Sequence, residues 1–193
     1  MLKTFRPGFY FTTANPFSMK KLVRFAVAAC CVVAFAGCDK TNLKPITQVK
    51  IRLTDAPLAA QQVNIDIKEV RVNLTDDTTW IVLHTNADIY NLLDYKNGKD
   101  TLIAEGSVPA TKFIKEVRII LGDNNTIKID DEVHPINMLS ASANDVRVLI
   151  NSKLNKNIET FTLDFDAASS IIETSKGTFY LRPVVVLRSK SGS

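Results

Sequence analysis

An alternation of apolar and polar residues with a period of two runs through most of this chain from Gln48 onward. Val49, Ile51 and Leu53, for example, are each separated by one polar residue. Because successive side chains of a β-strand point to opposite faces, this pattern predicts strands with one buried and one solvated face. No stretch keeps a helical period of 3.6 for more than two turns. The pattern therefore predicts an all-β domain.

Nine segments carry the strand pattern, and turn-forming Asp, Asn and Gly residues separate them. The predicted strands are 49–53, 63–67, 70–74, 79–84, 112–121, 126–129, 146–150, 159–165 and 178–187. The apolar phase slips by one residue at Lys68 and Glu69, which predicts a bulge or bend there. Seven to nine short strands of this kind predict an antiparallel β-sandwich.

Two further features modify this prediction. Pro183 lies inside the last predicted strand, and because proline cannot donate to a ladder, the strand is expected to be an edge or bulged there. Short helical turns are expected at 91–94 and 167–171.

The N-terminal 37 residues contain five basic residues and no acidic residue, and residues 25–37 are uncharged. This order is typical of a secretory signal. The apolar run 25–36 has 12 residues, whereas a membrane-spanning helix needs roughly 20. Phe35, Ala36, Gly37 and Cys38 resemble a lipobox, in which the cysteine accepts lipid before the signal is cut off on its amino side. Met19 would give a more usual signal length than Met1.

A domain organisation follows from this interpretation. We expect a lipoprotein signal peptide at 1–37, a tether at 38–47, a β-sandwich at 48–188 and a tail at 189–193. Lipid on Cys38 would hold the protein to a membrane of the cell envelope, and we favour the outer membrane over the inner one.

The net charge of +4 belongs to the whole chain. Without residues 1–37, 19 Lys and Arg remain against 20 Asp and Glu, so the domain itself has a net charge of −1. No basic surface is left to neutralise phosphates, which excludes nucleic acid as an expected partner. Cys30 and Cys31 lie in the predicted signal and Cys38 would carry lipid, so no internal disulfide is expected.

Five motifs in a fixed order resemble the DUF4382 family, a group of uncharacterised bacterial envelope proteins that includes many lipoproteins. The motifs are LTDAP at 53–57, NLLD at 91–94, VRIIL at 117–121, LDFDA at 163–167 and LRPV at 181–184. The resemblance implies a β-sandwich of transthyretin-like or immunoglobulin-like kind. It implies no activity.

Three carboxylates are the best candidates for a ligand site. Asp164 and Asp166 lie two residues apart and hence on one face of a strand. If the first and a late strand pair, Asp55 could join them to bind Ca²⁺, which takes six to eight oxygen ligands. The alternative is structural: Asp55 would form an Asx-turn, and Asp164 or Asp166 would cap the turn at 168–170. No other cofactor is expected.

Catalysis is not expected. His84 and His134 are the only histidines, and no zinc, nucleophile-elbow or phosphate-loop motif is present. Trp80 is predicted to lie in the core, with an exposed aromatic platform beside Tyr90 or Tyr95 as the alternative.

The preferred functional interpretation is a non-enzymatic module that binds a glycan, a peptide or another envelope protein through loops at one end of the sandwich. A Ca²⁺-dependent adhesin-like domain is the first alternative, and an enzyme is the second.

Overall fold

The alternating segments form β-strands in a computed structural model of the chain. The structure describes residues 45–56, 58–74, 78, 80–110, 113–140, 142–175 and 177–193. The predicted signal, Cys38 and most of the predicted tether lie outside the described residues. Fourteen strands are found in the described part, and they form two sheets.

The first sheet has five strands in the spatial order β14-β11-β1-β6-β4. Its strands are β1 (Ile46–Asp55), β4 (His84–Thr85), β6 (Thr101–Pro109), β11 (Ile158–Phe165) and β14 (Val185–Gly192).

The second sheet has nine strands, of which seven follow the order β10-β7-β2-β8-β9-β13-β12, while β3 and β5 both pair with β2. Its strands are β2 (Gln62–Leu74), β3 (Trp80–Val82), β5 (Asp88–Asn91), β7 (Phe113–Leu121), β8 (Thr126–Ile129), β9 (Glu132–Met138), β10 (Asp145–Lys153), β12 (Ile171–Ser175) and β13 (Thr178–Leu181).

The two sheets confirm the prediction of an all-β sandwich, with two differences in detail. The strands outnumber the nine predicted for two reasons. No strand was predicted at β5, β6, β9 or β12. The predicted strands 79–84 and 178–187 are each divided in two, whereas 63–67 and 70–74 join in β2. Both sheets are mixed, since β1 pairs with β11 and β9 with β13 in parallel. A parallel pair needs a long crossover connection, and about 100 residues of chain separate β1 from β11.

The predicted bulge is confirmed in β2. Ile67 pairs with Leu121 and Glu69 with Ile120, so one extra residue is inserted at Lys68. Both halves of β2 consequently turn their apolar side chains inward, and Ile67 and Val70 are fully buried.

Pro183 has a larger effect than predicted, because it divides the last predicted strand into two. The chain leaves the second sheet at Leu181, the end of β13, and enters the first sheet at Val185, the start of β14. Proline has no N–H to donate and so favours a break in the ladder here. The 182–184 segment is therefore a connection between the sheets.

The core lies where the inner faces of the two sheets meet. β1 contributes Val49, Ile51 and Leu53, which are fully buried, as are Phe161 and Phe165 of β11. Apolar residues of β2, β7 and β10 cover them from the second sheet. Burial of this alternating set is the main favourable term in folding.

Two of the expected boundaries need correction. β1 begins at Ile46, inside the predicted tether, and β14 continues to Gly192, through the predicted tail. The N–H and C=O groups of Ser193 both form hydrogen bonds with Ile158. Both expected helical turns are present, as a 3₁₀ helix at Leu92–Tyr95 and α1 at Ala167–Ser170. Among the described residues, no helix is long and apolar enough to span a bilayer.

Candidate functional site

The three predicted carboxylates lie near one another, at the end of the β1–β11 pair. The register pairs Thr54 with Asp164 and Asp55 with Phe165. Paired residues share a face and successive residues alternate, so Asp55 points toward the core and Asp164 toward the opposite face. No group of three His, Cys, Asp or Glu side chains in the described chain could hold a metal ion. This arrangement does not support the predicted Ca²⁺ site on Asp55, Asp164 and Asp166.

Asp55 instead anchors the chain that follows β11. Its Oδ1 accepts a hydrogen bond from the Ala167 N–H at 3.1 Å. This bond joins residues that are distant in sequence, whereas the predicted Asx-turn is a local contact. Its Oδ2 is buried and has no hydrogen-bond partner among the described residues. Burial raises the pKa of Asp55 from 3.8 to about 6, against the effect of the Ala167 and Ala56 N–H groups. The negative charges of Asp164 and Asp166 add to this increase.

Asp166 caps α1, as the structural alternative predicted. Its carboxylate accepts the Ser169 N–H at 2.9 Å and the Ser169 hydroxyl at 2.7 Å. These hydrogen bonds lower the pKa of Asp166. Asp164 lies opposite Arg188, with 3.3 Å between Oδ2 and the guanidinium. The acidic residues at this end of the sandwich therefore have structural partners.

Ser170 fixes the 182–184 segment to this network. Its buried hydroxyl donates to the Asp166 carbonyl at 2.5 Å and accepts the Val184 N–H at 2.8 Å. The Ser170 carbonyl accepts the Arg182 N–H, and the Val184 carbonyl accepts the Asp166 N–H. Three hydrogen bonds thus hold the segment that connects the two sheets, and a fourth fixes Ser170 to Asp166.

This fixed segment forms one wall of a cleft of about 460 Å³, which we call the arginine cleft. The other wall comes from the start of β10 and the chain that precedes it. Its apolar lining is Leu139, Ala143, Val146, Pro183, Val184 and Val185, and its polar lining is Ser140, Asp145, Arg147 and Arg182. Its volume is within the range of pockets that bind small ligands or side chains.

The arginine cleft has an excess of positive charge. Arg147 and Arg182 are exposed, and Arg182 forms no ion pair with any described residue. Asp145 is shared between Arg147, at 3.6 Å, and the more buried Arg118, at 3.0 Å. Two guanidinium groups therefore share one carboxylate and a third guanidinium has none, which favours an anionic ligand.

Trp80 is not in the core, so that prediction is wrong. The indole is partly buried on β3, and the Arg118 guanidinium lies over it, 4.0 Å from the ring centroid. Tyr90 and Tyr95 contact each other instead, with centroids 6.3 Å apart. Trp80 thus orients Arg118 by a cation–π contact, and Arg118 in turn holds Asp145 at the cleft.

The two histidines lie outside this arrangement. His84 is on β4, in the first sheet, and His134 is on β9, in the second sheet, where it contacts the Phe179 ring. Neither histidine lines the arginine cleft.

Fold and site together define a class: an all-β sandwich domain with a preformed, cationic cleft at the point where the chain changes sheets. The chain belongs to the family described as Domain of unknown function (DUF4382), whose profile matches residues 46–183, well over half of the chain. The family predicted from the five motifs is thereby confirmed.

Neither the curated proteins nor the solved structures contain a match to the chain. The family match ends at Pro183, so β14 lies beyond it. Four of the five motifs contribute to this region. LTDAP, LDFDA and LRPV contain residues of the network around the 182–184 segment. VRIIL lies on β7 and contains Arg118.

Replacing Ser170 with alanine is expected to destabilise the domain by about 1 kcal/mol, because the partly buried Val184 N–H would lose its acceptor. We expect the Val184 amide to lose protection in hydrogen exchange. Ser169→Ala is the matched control, since Ser169 is exposed and bonds only within α1. Unchanged protection of Val184 in Ser170→Ala would show that the segment is held by other contacts.

Proposed function

We propose that this protein is a lipid-anchored, non-enzymatic binding module of the cell envelope, and that the arginine cleft is its binding site. The observation that carries the proposal is the cleft itself, with its exposed guanidinium groups on a backbone fixed by hydrogen bonds. A preformed site loses little conformational freedom on binding. In this proposal the ligand-binding loop residues are Leu139, Ser140 and Ala143 together with the 182–185 segment.

The non-enzymatic part of the proposal is supported by the chemistry of the cleft. Its polar groups are two arginines, one paired aspartate and a serine. A nucleophile needs an adjacent general base, and the histidines lie elsewhere in the fold. Arginine stays protonated and cannot act as that base, so this set of groups is suited to recognition.

The anchoring part rests on the sequence 35–38 and on the uncharged run before it. We propose that lipid on Cys38 holds the domain to the outer membrane. Cys38→Ser in the full chain is expected to abolish lipid labelling and to leave the signal uncleaved, so that the protein runs as the larger precursor. Cys31→Ser is the matched control, because Cys31 is expected to be removed with the signal. Lipid labelling or normal signal cleavage of Cys38→Ser would contradict the anchor.

The binding part can be tested in intact cells by photo-crosslinking. A photoreactive phenylalanine derivative would replace either Leu139, in the arginine cleft, or Ile89, on β5 outside it. Both side chains are 48% exposed, which makes them a matched pair. We expect a discrete crosslinked species from position 139 and none from position 89. Equal labelling from both positions, or none from either, would contradict a binding role for the cleft.

A further inference from the structure

We propose that the arginine cleft recognises an acidic peptide segment in which carboxylate side chains alternate with apolar ones. The inference rests on the proposed binding function and specifies the class of ligand. It follows from the charge of the cleft, its apolar lining and its position in the fold.

The positive charge of the arginine cleft favours an anionic ligand. One carboxylate oxygen of Asp145 lies 3.0 Å from the Arg118 guanidinium, and the other lies 3.6 Å from the Arg147 guanidinium. The Arg182 guanidinium is exposed and has no acidic partner in the described chain. Guanidinium groups bind carboxylates in a bidentate geometry, and such charge-assisted hydrogen bonds are stronger than neutral ones.

The apolar lining favours a peptide over an acidic glycan. Leu139, Pro183, Val184 and Val185 form most of the apolar surface, and no aromatic side chain is among the described residues that line the cleft. Sugar rings bind preferentially to aromatic faces and to clusters of amide and hydroxyl groups, of which only Ser140 is present here. A leucine or valine side chain beside a carboxylate would match both parts of the surface.

The position of the cleft favours a ligand that is not a lipid headgroup of the anchoring membrane. β1 starts at Ile46 and ends at Asp55, which pairs with Phe165 next to Val185 of the cleft. Ten strand residues span about 33 Å. Cys38 precedes Pro45 by seven residues, which reach at most about 25 Å. The Asp55 end of β1, where the cleft lies, is therefore farther from Ile46 than the seven residues between Cys38 and Pro45 can reach.

The test is a calorimetric titration of the full-length, lipidated protein in detergent micelles. The probe is an acetylated, amidated hexapeptide of alternating leucine and glutamate, compared with the same peptide carrying glutamine for glutamate. We expect the glutamate peptide to bind and the glutamine peptide to bind at least about tenfold more weakly. Equal affinity for the two peptides would overturn the inference.

The matched variants are Arg147→Gln with Arg182→Gln, in the cleft, and Lys115→Gln with Lys153→Gln, at exposed positions outside it. Both pairs remove two positive charges, and urea unfolding verifies that each variant folds. We expect the cleft pair to weaken peptide binding roughly a hundredfold and the control pair to leave it within about twofold. Equal loss in both pairs would show non-specific attraction and overturn the inference.

A titration with oligogalacturonate tests whether the cleft binds an acidic glycan instead of an acidic peptide. Tighter, cleft-dependent binding of this acidic glycan than of the peptide would overturn the peptide class. If wild-type protein binds no acidic peptide while crosslinking at position 139 persists in cells, this inference fails and the proposed binding function stands. Loss of both signals would reject both proposals.

Discussion

Gly122→Ala is expected to destabilise the domain by about 3 kcal/mol, because the new methyl group would overlap a buried carboxylate. A Cβ at this position would lie 2.2 Å from Asp66 Oδ2 and 2.7 Å from its Cγ. Asp66 cannot move aside easily, since its side chain is 1% exposed and holds Lys68 at 2.8 Å and the Asn124 side chain at 3.1 Å. The measurement is the free energy of unfolding in urea at pH 7.

The same carboxylate belongs to a wider set of hydrogen bonds that would be disturbed. The Asp66 carbonyl accepts the Gly122 N–H, and the Asp66 N–H donates to the side chain of Asn125, which in turn donates to the Gly122 carbonyl. Gly106→Ala is the matched control: its Cβ would meet the flexible end of Leu83, which can rotate away. A loss for Gly122→Ala no larger than for Gly106→Ala would contradict the proposed overlap.

Asp55→Asn is expected to stabilise the domain at pH 7, by up to about 3 kcal/mol, and to have little effect near pH 4. The pKa of Asp55 is raised from 3.8 to about 6 in the folded state. The folded protein therefore binds the proton more tightly than the unfolded chain does. That contribution to stability is fully present below pH 3.8 and is lost as the pH rises through 6. Asparagine resembles the neutral acid and can still accept the Ala167 N–H.

Urea unfolding of the wild type and of Asp55→Asn at pH 4, 5, 6 and 7 provides the measurement. Asp166→Asn is the matched control with the opposite sign, because the pKa of Asp166 is lowered by its bonds to Ser169. Asp166→Asn should therefore destabilise at pH 7 and lose its effect as the pH falls. A pH-independent difference for Asp55→Asn would show that the residue is not titrating in this range.

Local features of the fold could be predicted from the sequence. The period of two located most of the strands, although not β5, β6, β9 or β12. The phase slip at Lys68 located the bulge in β2, and Asp166 was identified as a candidate cap. Each of these depends on neighbours within a few residues, where steric and hydrogen-bonding rules act directly. The family motifs added the assignment that the 46–183 match confirms.

The site could not be predicted in the same way, because it depends on contacts between distant residues. Asp55 and Ala167 are separated by 112 positions, and nothing local to either residue indicates their hydrogen bond. The sequence predicts an edge strand or a bulge at Pro183, whereas this residue marks a change of sheet at the arginine cleft. In the sequence Arg182 stands out only as part of a family motif. A cation beside a proline that interrupts a strand was nevertheless a signal for an exposed charged site.

Trp80 shows why burial of single residues is difficult to predict from a pattern. Its apolar neighbours suggested the core, yet β3 pairs with Asn73 of β2 in a register that places the indole beside Arg118. Only that register decides which face of the sheet the ring covers.

The parallel pairing of β1 with β11 also constrains when this protein can fold. β1 lies between β6 and β11 in the first sheet, and β11 is not available until residues 158–165 have been synthesised. Pairings between such distant segments form slowly, because the intervening chain must first be ordered. Until then one edge of β1 is open to other chains. A chain of this topology therefore completes its first sheet only after nearly all of its residues have been synthesised.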